Sequence, residues 1–158
     1  MDEVGETFSG GCQCGAIRFR VEGPVIDASV CHCRMCQKAT GGLFGAYVAV
    51  ENRYLQWKRG APAHFRSSSV AQRGFCPACG TPMTFEWTHE RTAIAIGCFD
   101  EPDYFTLDVA YAAENMHPAI AGLVHVPARP LADTPEAERA YQELESFQHP
   151  DNDTSTWP

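Results

Sequence analysis

Residues 11–21 read GCQCGAIRFRV, and two patterns meet in them. The first is a pair of cysteines one residue apart, Cys12 and Cys14. The second is strict alternation, with Ile17, Phe19 and Val21 apolar and Arg18 and Arg20 between them. A period of two places the apolar residues on one face of a strand and the arginines on the other. The pattern returns at Phe44, Ala46, Val48 and Val50, at Leu55 and Trp57, and at Met83, Phe85 and Trp87. Ile94 with Ile96, and Leu107, Val109 and Tyr111, complete the series. Gly, Pro, Asn and Asp separate these runs, so the expected fold is mainly β, built of short antiparallel strands. Two helices are expected beside them. One is a short turn from Arg34 to Thr40. The other runs from Pro135 to Phe147, with Thr134 as N-cap, Pro135 at the first helical position and Glu136 and Glu138 in the first turn. The last ten residues, HPDNDTSTWP, are polar and read as a disordered tail.

Composition narrows the function classes. A chain of 158 residues with 44% hydrophobic and 20% charged residues has the ordinary balance of a globular domain. The formal net charge of −8 speaks against a nucleic-acid partner, which needs a cationic face. No stretch approaches the length of a membrane span. The start, MDEVGETFSG, carries acidic residues where a signal peptide needs positive ones. The cytoplasm is therefore the expected compartment, and there spaced cysteines point to metal ahead of disulfides.

The eight cysteines carry the chemistry. In an extended Cys-x-Cys segment both side chains point to the same side, so Cys12 and Cys14 can grip one ion together. Cys76 and Cys79 stand in CPACG, a knuckle whose glycine, Gly80, tolerates the left-handed backbone such turns require. Two such pairs supply the four thiolates of a closed tetrahedral zinc site that staples distant parts of the chain. CHCRMC, residues 31–36, differs in offering three thiolates, Cys31, Cys33 and Cys36. Three protein ligands with one open position suit a catalytic zinc. The competing reading is a second closed site, with Cys98 or a histidine as fourth ligand. His32 points away from its neighbours in an extended segment, and Cys98 ends the run Ile94, Ile96, Cys98, facing the core as a small hydrophobe. Arg34 and Lys38 follow the cluster on the short helix. They either meet a ligand carboxylate or form a solvated face. Trp57 and Trp87 read as core, His117 and His125 as ordinary loop residues, and Asp100 with Glu101 as loop caps.

GGCQCGAIRFRV, CHCRMCQKATGG, YLQWKRG, GFCPACGTPM and IGCFDEPD, in that order from Gly10 to Pro102, resemble the glutathione-dependent formaldehyde-activating family, which includes centromere protein V-like proteins. The resemblance implies a β-tent with two zinc ions per chain. It assigns Cys12, Cys14, Cys76 and Cys79 to a structural zinc and Cys31, Cys33 and Cys36 to a catalytic one. It also implies a carbon–sulfur lyase that joins a small thiol such as glutathione to a small aldehyde such as formaldehyde. The alternative is a non-catalytic binding module with two structural zinc sites. Cys98 departs from the family pattern, in which a small hydroxyl residue is more usual, and the region after Asp103 matches poorly. The chain is expected to divide into a zinc-binding domain over residues 1–132 and a helix with its tail over 133–158.

Overall fold

The computed structural model describes residues 6–156; the acidic start at residues 1–5 and the final Trp157 and Pro158 lie outside the described residues. Ten strands form two sheets. The smaller joins β1 (Thr7–Gly11), β2 (Arg18–Glu22) and β5 (Leu55–Arg59) in the order β1-β2-β5. The larger contains β3 (Val25–Cys31), β4 (Gly45–Glu51), β6 (Ala63–Arg66), β7 (Gln72–Phe75), β8 (Pro82–Glu86), β9 (Arg91–Ala95) and β10 (Val109–Tyr111). Its order is β10-β3-β4-β9-β8-β7-β6. Every pairing is antiparallel except β10 on β3, so the expected antiparallel, mainly β architecture holds with one parallel edge. The reason is connectivity: β10 reaches β3 after a long excursion through β4 to β9, and a tight hairpin is not available to it.

The core fills the space between the sheets. Phe19, Val21, Val48, Val50, Met83 and Ile94 are fully buried. Each contributes about 1.5–3 kcal/mol through the apolar surface it removes from water. An aromatic series packs the segment after β9 onto the smaller sheet: Phe19 packs edge-on to Trp57 at 6.0 Å and to Phe99 at 5.1 Å, and Phe99 meets Phe105 at 4.7 Å. Trp57 is thus a core neighbour as expected, whereas Trp87 falls just past β8 and is 63% exposed.

Helix α1 (Arg34–Thr40) lies where the sequence places it, with Cys33 as its N-cap. Helix α2 spans only Pro135–Gln142, capped by Thr134, whose hydroxyl accepts from Ala137 N–H at 3.2 Å. The helix stops short of Phe147 because its apolar residues find no surface to bury against: Tyr141, Leu144 and Phe147 are all exposed. The tail's polar groups meet partners on the domain. His149 is buried, its N–H donates to Gln13 C=O at 2.7 Å, and its Nε2 meets Thr154 Oγ1 at 2.9 Å. Arg18 donates to Asp153 Oδ1 at 2.7 Å, and Arg59 reaches both the carbonyl and the hydroxyl of Thr154. Polar residues therefore strap the chain end onto the domain by hydrogen bonds, a mode that composition does not reveal.

Candidate metal centres

Cys12, Cys14, Cys76 and Cys79 converge, their sulfurs all within 4.8 Å of one another. Cys12 and Cys14 lie in the β1–β2 turn and not in an extended strand: Cys12 N–H donates to Ile17 C=O at 3.0 Å, and Gly15 N–H to Cys12 C=O at 3.0 Å. The turn brings the two sulfurs to 3.7 Å, and Cys14 stands 3.9 Å from Cys76. Bonds of about 2.3 Å at tetrahedral angles put sulfurs about 3.8 Å apart, whereas a disulfide needs about 2.05 Å. The donor set fits a tetrahedral metal, and all eight cysteines are free thiols. On the other side, Gly80 adopts φ +80 in the knuckle between β7 and β8, and its N–H donates to Cys76 C=O at 2.8 Å. Since one cysteine pair follows β1 and the other follows β7, the cluster links the two sheets.

Protons compete with the metal here. Burial pushes the Cys12, Cys14 and Cys76 thiols up. Cys79 goes the other way, to about 6, because hydrogen bonds from Thr81 and its neighbours outweigh its own burial. Four thiolates this close repel one another, and a divalent cation removes that penalty.

The second group holds Cys31, Cys33 and Cys36, and among the described residues no further Cys, His, Asp or Glu joins it. Cys31 ends β3, Cys33 caps α1, and Cys36 is buried in the first turn of α1. The Cys36 N–H donates to Cys33 Sγ at 3.4 Å. Burial works to raise the Cys33 thiol, but this and neighbouring hydrogen bonds bring it below its usual value. Cys31, with burial dominant and two sulfurs beside it, is pushed up to about 12.

Cys98 lies outside this group. It closes a 3-10 turn, Ile96–Cys98, is buried, and directs its thiol to Pro82 C=O at 3.5 Å. Its electrostatic neighbours are Cys12 and Cys79 of the first cluster. The extended run drawn through Ile96 is therefore replaced by a turn, and the thiol is buried as expected. His32 also lies outside the three-sulfur group. It is 2% exposed and packs edge-on to Phe44 at 6.0 Å. His117 caps a 3-10 segment, its Nδ1 accepting from Ala119 N–H at 3.1 Å. Arg34 and Lys38 are exposed on α1, and Arg34 Nη1 donates to Gln37 Oε1 at 3.2 Å.

Two residues escaped the sequence reading. Arg73 on β7 is 5% exposed and donates Nη2 to Cys36 Sγ at 3.3 Å, Nη1 to Tyr47 Oη at 2.9 Å and Nε to Ser67 Oγ at 2.9 Å. Its guanidinium lies 4.7 Å from the Phe85 ring centre. Tyr47, on β4, is buried, and its ring occupies the space over Gly45, where an added Cβ would meet ring atoms at 2.5 Å. Arg73 and Tyr47 both line a pocket of about 220 Å³, with Ala39, Thr40, Phe65 and Met83 among its other walls. Alternation could have flagged Tyr47, since it opposes Val48 on β4, but only with the knowledge that both faces of that strand are covered.

This is a small, mainly β chain with two cysteine clusters, of four and three sulfurs, each able to hold a metal ion. The profile described as glutathione-dependent formaldehyde-activating enzyme matches residues 7–114, and the chain belongs to that family. An uncharacterized lyase of Schizosaccharomyces pombe is 29% identical over 94 residues, covering 58% of this chain. The match spans 66% of that relative's length, just under two thirds. A crystal structure of a Rhodobacter sphaeroides protein superposes with a TM-score of 0.52 at 19% identity, over 65% of this chain and 98% of that one, a likeness of fold.

Proposed function

We propose that this chain is a zinc-dependent carbon–sulfur lyase that joins a small thiol, such as glutathione, to a small aldehyde, such as formaldehyde, as a hemithioacetal. The observation that carries the reading is the contrast between the two clusters: four cysteines complete one, whereas only three assemble at the other, where Arg73, a donor to Cys36 Sγ, also lines a pocket. The family and the lyase name of the fission-yeast relative support it. In this reading Cys12, Cys14, Cys76 and Cys79 hold a structural zinc, and Cys31, Cys33 and Cys36 hold a second. Bound there, zinc supplies a Lewis acid that favours the thiolate form of an incoming thiol. The protein's residues set the stage around it. Arg34 and Lys38, exposed next to the cluster, offer charge to a thiol that carries carboxylates. Tyr47, whose phenol burial holds up at about 12, stays protonated at neutral pH. Its oxygen accepts from Arg73, and its O–H faces the Cys36 sulfur, which places the phenol at the cluster. In the reaction the sulfur forms a bond to the carbonyl carbon and the π pair moves to oxygen. Oxygen takes up the proton the thiol gave, so no redox partner is needed. A reducing compartment, the cytoplasm, suits the free thiols.

Exchange spectroscopy with carbon-13 formaldehyde and glutathione tests the proposal. The zinc-loaded protein should speed interconversion of free aldehyde and hemithioacetal above the spontaneous rate. Unchanged exchange, with a fourth protein ligand found on the second zinc, would replace the enzyme by a zinc-stabilised binding module.

A further inference from the structure

Arg73 is a buried cation with no carboxylate partner among the described residues. Its neighbours are a phenol, a hydroxyl, an aromatic face and the Cys36 sulfur. Burying an unpaired guanidinium is strongly unfavourable, so its counter-ion must be the thiolate cluster itself. The four-cysteine cluster is served differently, by neutral donors: Ile17 N–H approaches Cys12 Sγ at 3.3 Å, and the Thr81 hydroxyl lies 3.0 Å from Cys79 Sγ.

We propose that Arg73 sets the charge of the three-cysteine site, so that the site accepts a thiolate from outside as its fourth ligand. The inference rests on the thiol-binding reading above. Three thiolates and a divalent cation carry one net negative charge, which the guanidinium cancels. A fourth thiolate then approaches a neutral assembly and not an anionic one, a difference that matters in a low-dielectric pocket. The fork geometry explains why arginine does this. Nε, Nη1 and Nη2 each have a separate acceptor, and the flat face covers Phe85, an arrangement an ammonium does not reproduce. Tyr47 is the positioning partner that fixes the fork from the β4 side.

The test uses cobalt-loaded protein and 2-mercaptoethanol, a thiol with no other charge. Sulfur-to-cobalt absorption reports each added thiolate, and its titration gives a dissociation constant. In the parent the band should grow on thiol addition. In Arg73→Gln, with both metals still bound, the thiol should bind about 10- to 100-fold more weakly, the range for a hydrogen bond made to a charged group. Arg73→Lys, which keeps the charge, should recover part of that loss, and Tyr47→Phe should lose less than Arg73→Gln. Retention of the second metal by Arg73→Lys but not by Arg73→Gln also supports a charge role. Equal thiol affinity in parent and Arg73→Gln overturns it, as does loss of the second metal from both Arg73 variants. A parent protein that takes up no thiol overturns the thiol-binding reading itself, which separates the two failures.

Discussion

Arg18 and Asp100, 82 residues apart in the chain, face each other side-on, Nη1 to Oδ1 at 2.8 Å and Nη2 to Oδ2 at 2.6 Å. Both side chains are nearly buried, and Ser9 Oγ adds a third bond to the carboxylate at 2.6 Å. The pair fixes the end of β1 and the start of β2 to the loop after β9. Burial opposes ionisation of Asp100, but Arg18 and Ser9 outweigh it and hold the carboxyl below its ordinary value. Its stabilising share is therefore complete above the unfolded value of about 3.9. It is lost as pH falls through the lower folded value.

Asp100→Asn should leave Arg18 buried with only the half-exposed Asp153 as partner. The expected loss is about 3 kcal/mol, the lower end for breaking a buried pair. Urea melts at pH 7 check this, and the gap between parent and variant should narrow below pH 4. A variant as stable as the parent at pH 7 would show the pair to be dispensable.

The two cysteine clusters should fail differently. Cys76→Ser breaks the group that joins the sheets and should unfold much of the domain, since metal binding at such sites is folding free energy. Cys33→Ser should release one of two metal ions and keep most of the circular dichroism. Metal analysis alongside thermal melts decides; equal damage in both variants would remove the division between structural and functional sites.

Cys98 should resist modification. Burial, with the Cys12 and Cys79 sulfurs nearby, pushes its thiol up to about 12. At pH 8 almost no thiolate exists there, and iodoacetamide should label it at least about a hundredfold more slowly than a free cysteine peptide. Mass spectrometry of the folded, metal-loaded protein measures this, and labelling should become fast in denaturant. Rapid labelling of the native protein would contradict the burial.

Removing residues 149–158 should lower stability by about 1–3 kcal/mol, because Arg18 and Arg59 lose charge-assisted partners at Asp153 and Thr154. The second cluster lies away from the strap and should keep its metal. Chelator challenge should strip the four-cysteine site faster than in the full chain, and unchanged rates would make the strap incidental to that site.

Much of the architecture was legible because cysteine spacing and period-two patterns are local signals. β2, β4, β5, β8 and β9 each carry one, and the capped start of α2 is written in Thr134 and Pro135. What remained hidden depends on pairing at a distance. Arg18 alternates as a solvent-facing residue should, yet it is 3% exposed, because Asp100 arrives from the loop after β9 to receive it. β7 has no alternation to find: it is a short strand of Gln, Arg, Gly and Phe, and its arginine is buried because a sulfur cluster lies opposite. The turn that ends at Cys98 was not visible, since Gly97 carries no conformational signal of its own. The tail's contacts were not legible because polarity does not say which partners wait for the polar groups.

The contact between His149 and Gln13 also bears on the order of events during synthesis. Cys79, the last ligand of the first cluster, leaves the ribosome roughly 70 residues ahead of His149, an interval of about 4–14 s at ordinary elongation rates. Throughout that interval the four sulfurs are all present while the strap that will lie against their loop has yet to be made. A metal taken up by these four sulfurs would thus have a window on the nascent chain before His149 meets Gln13.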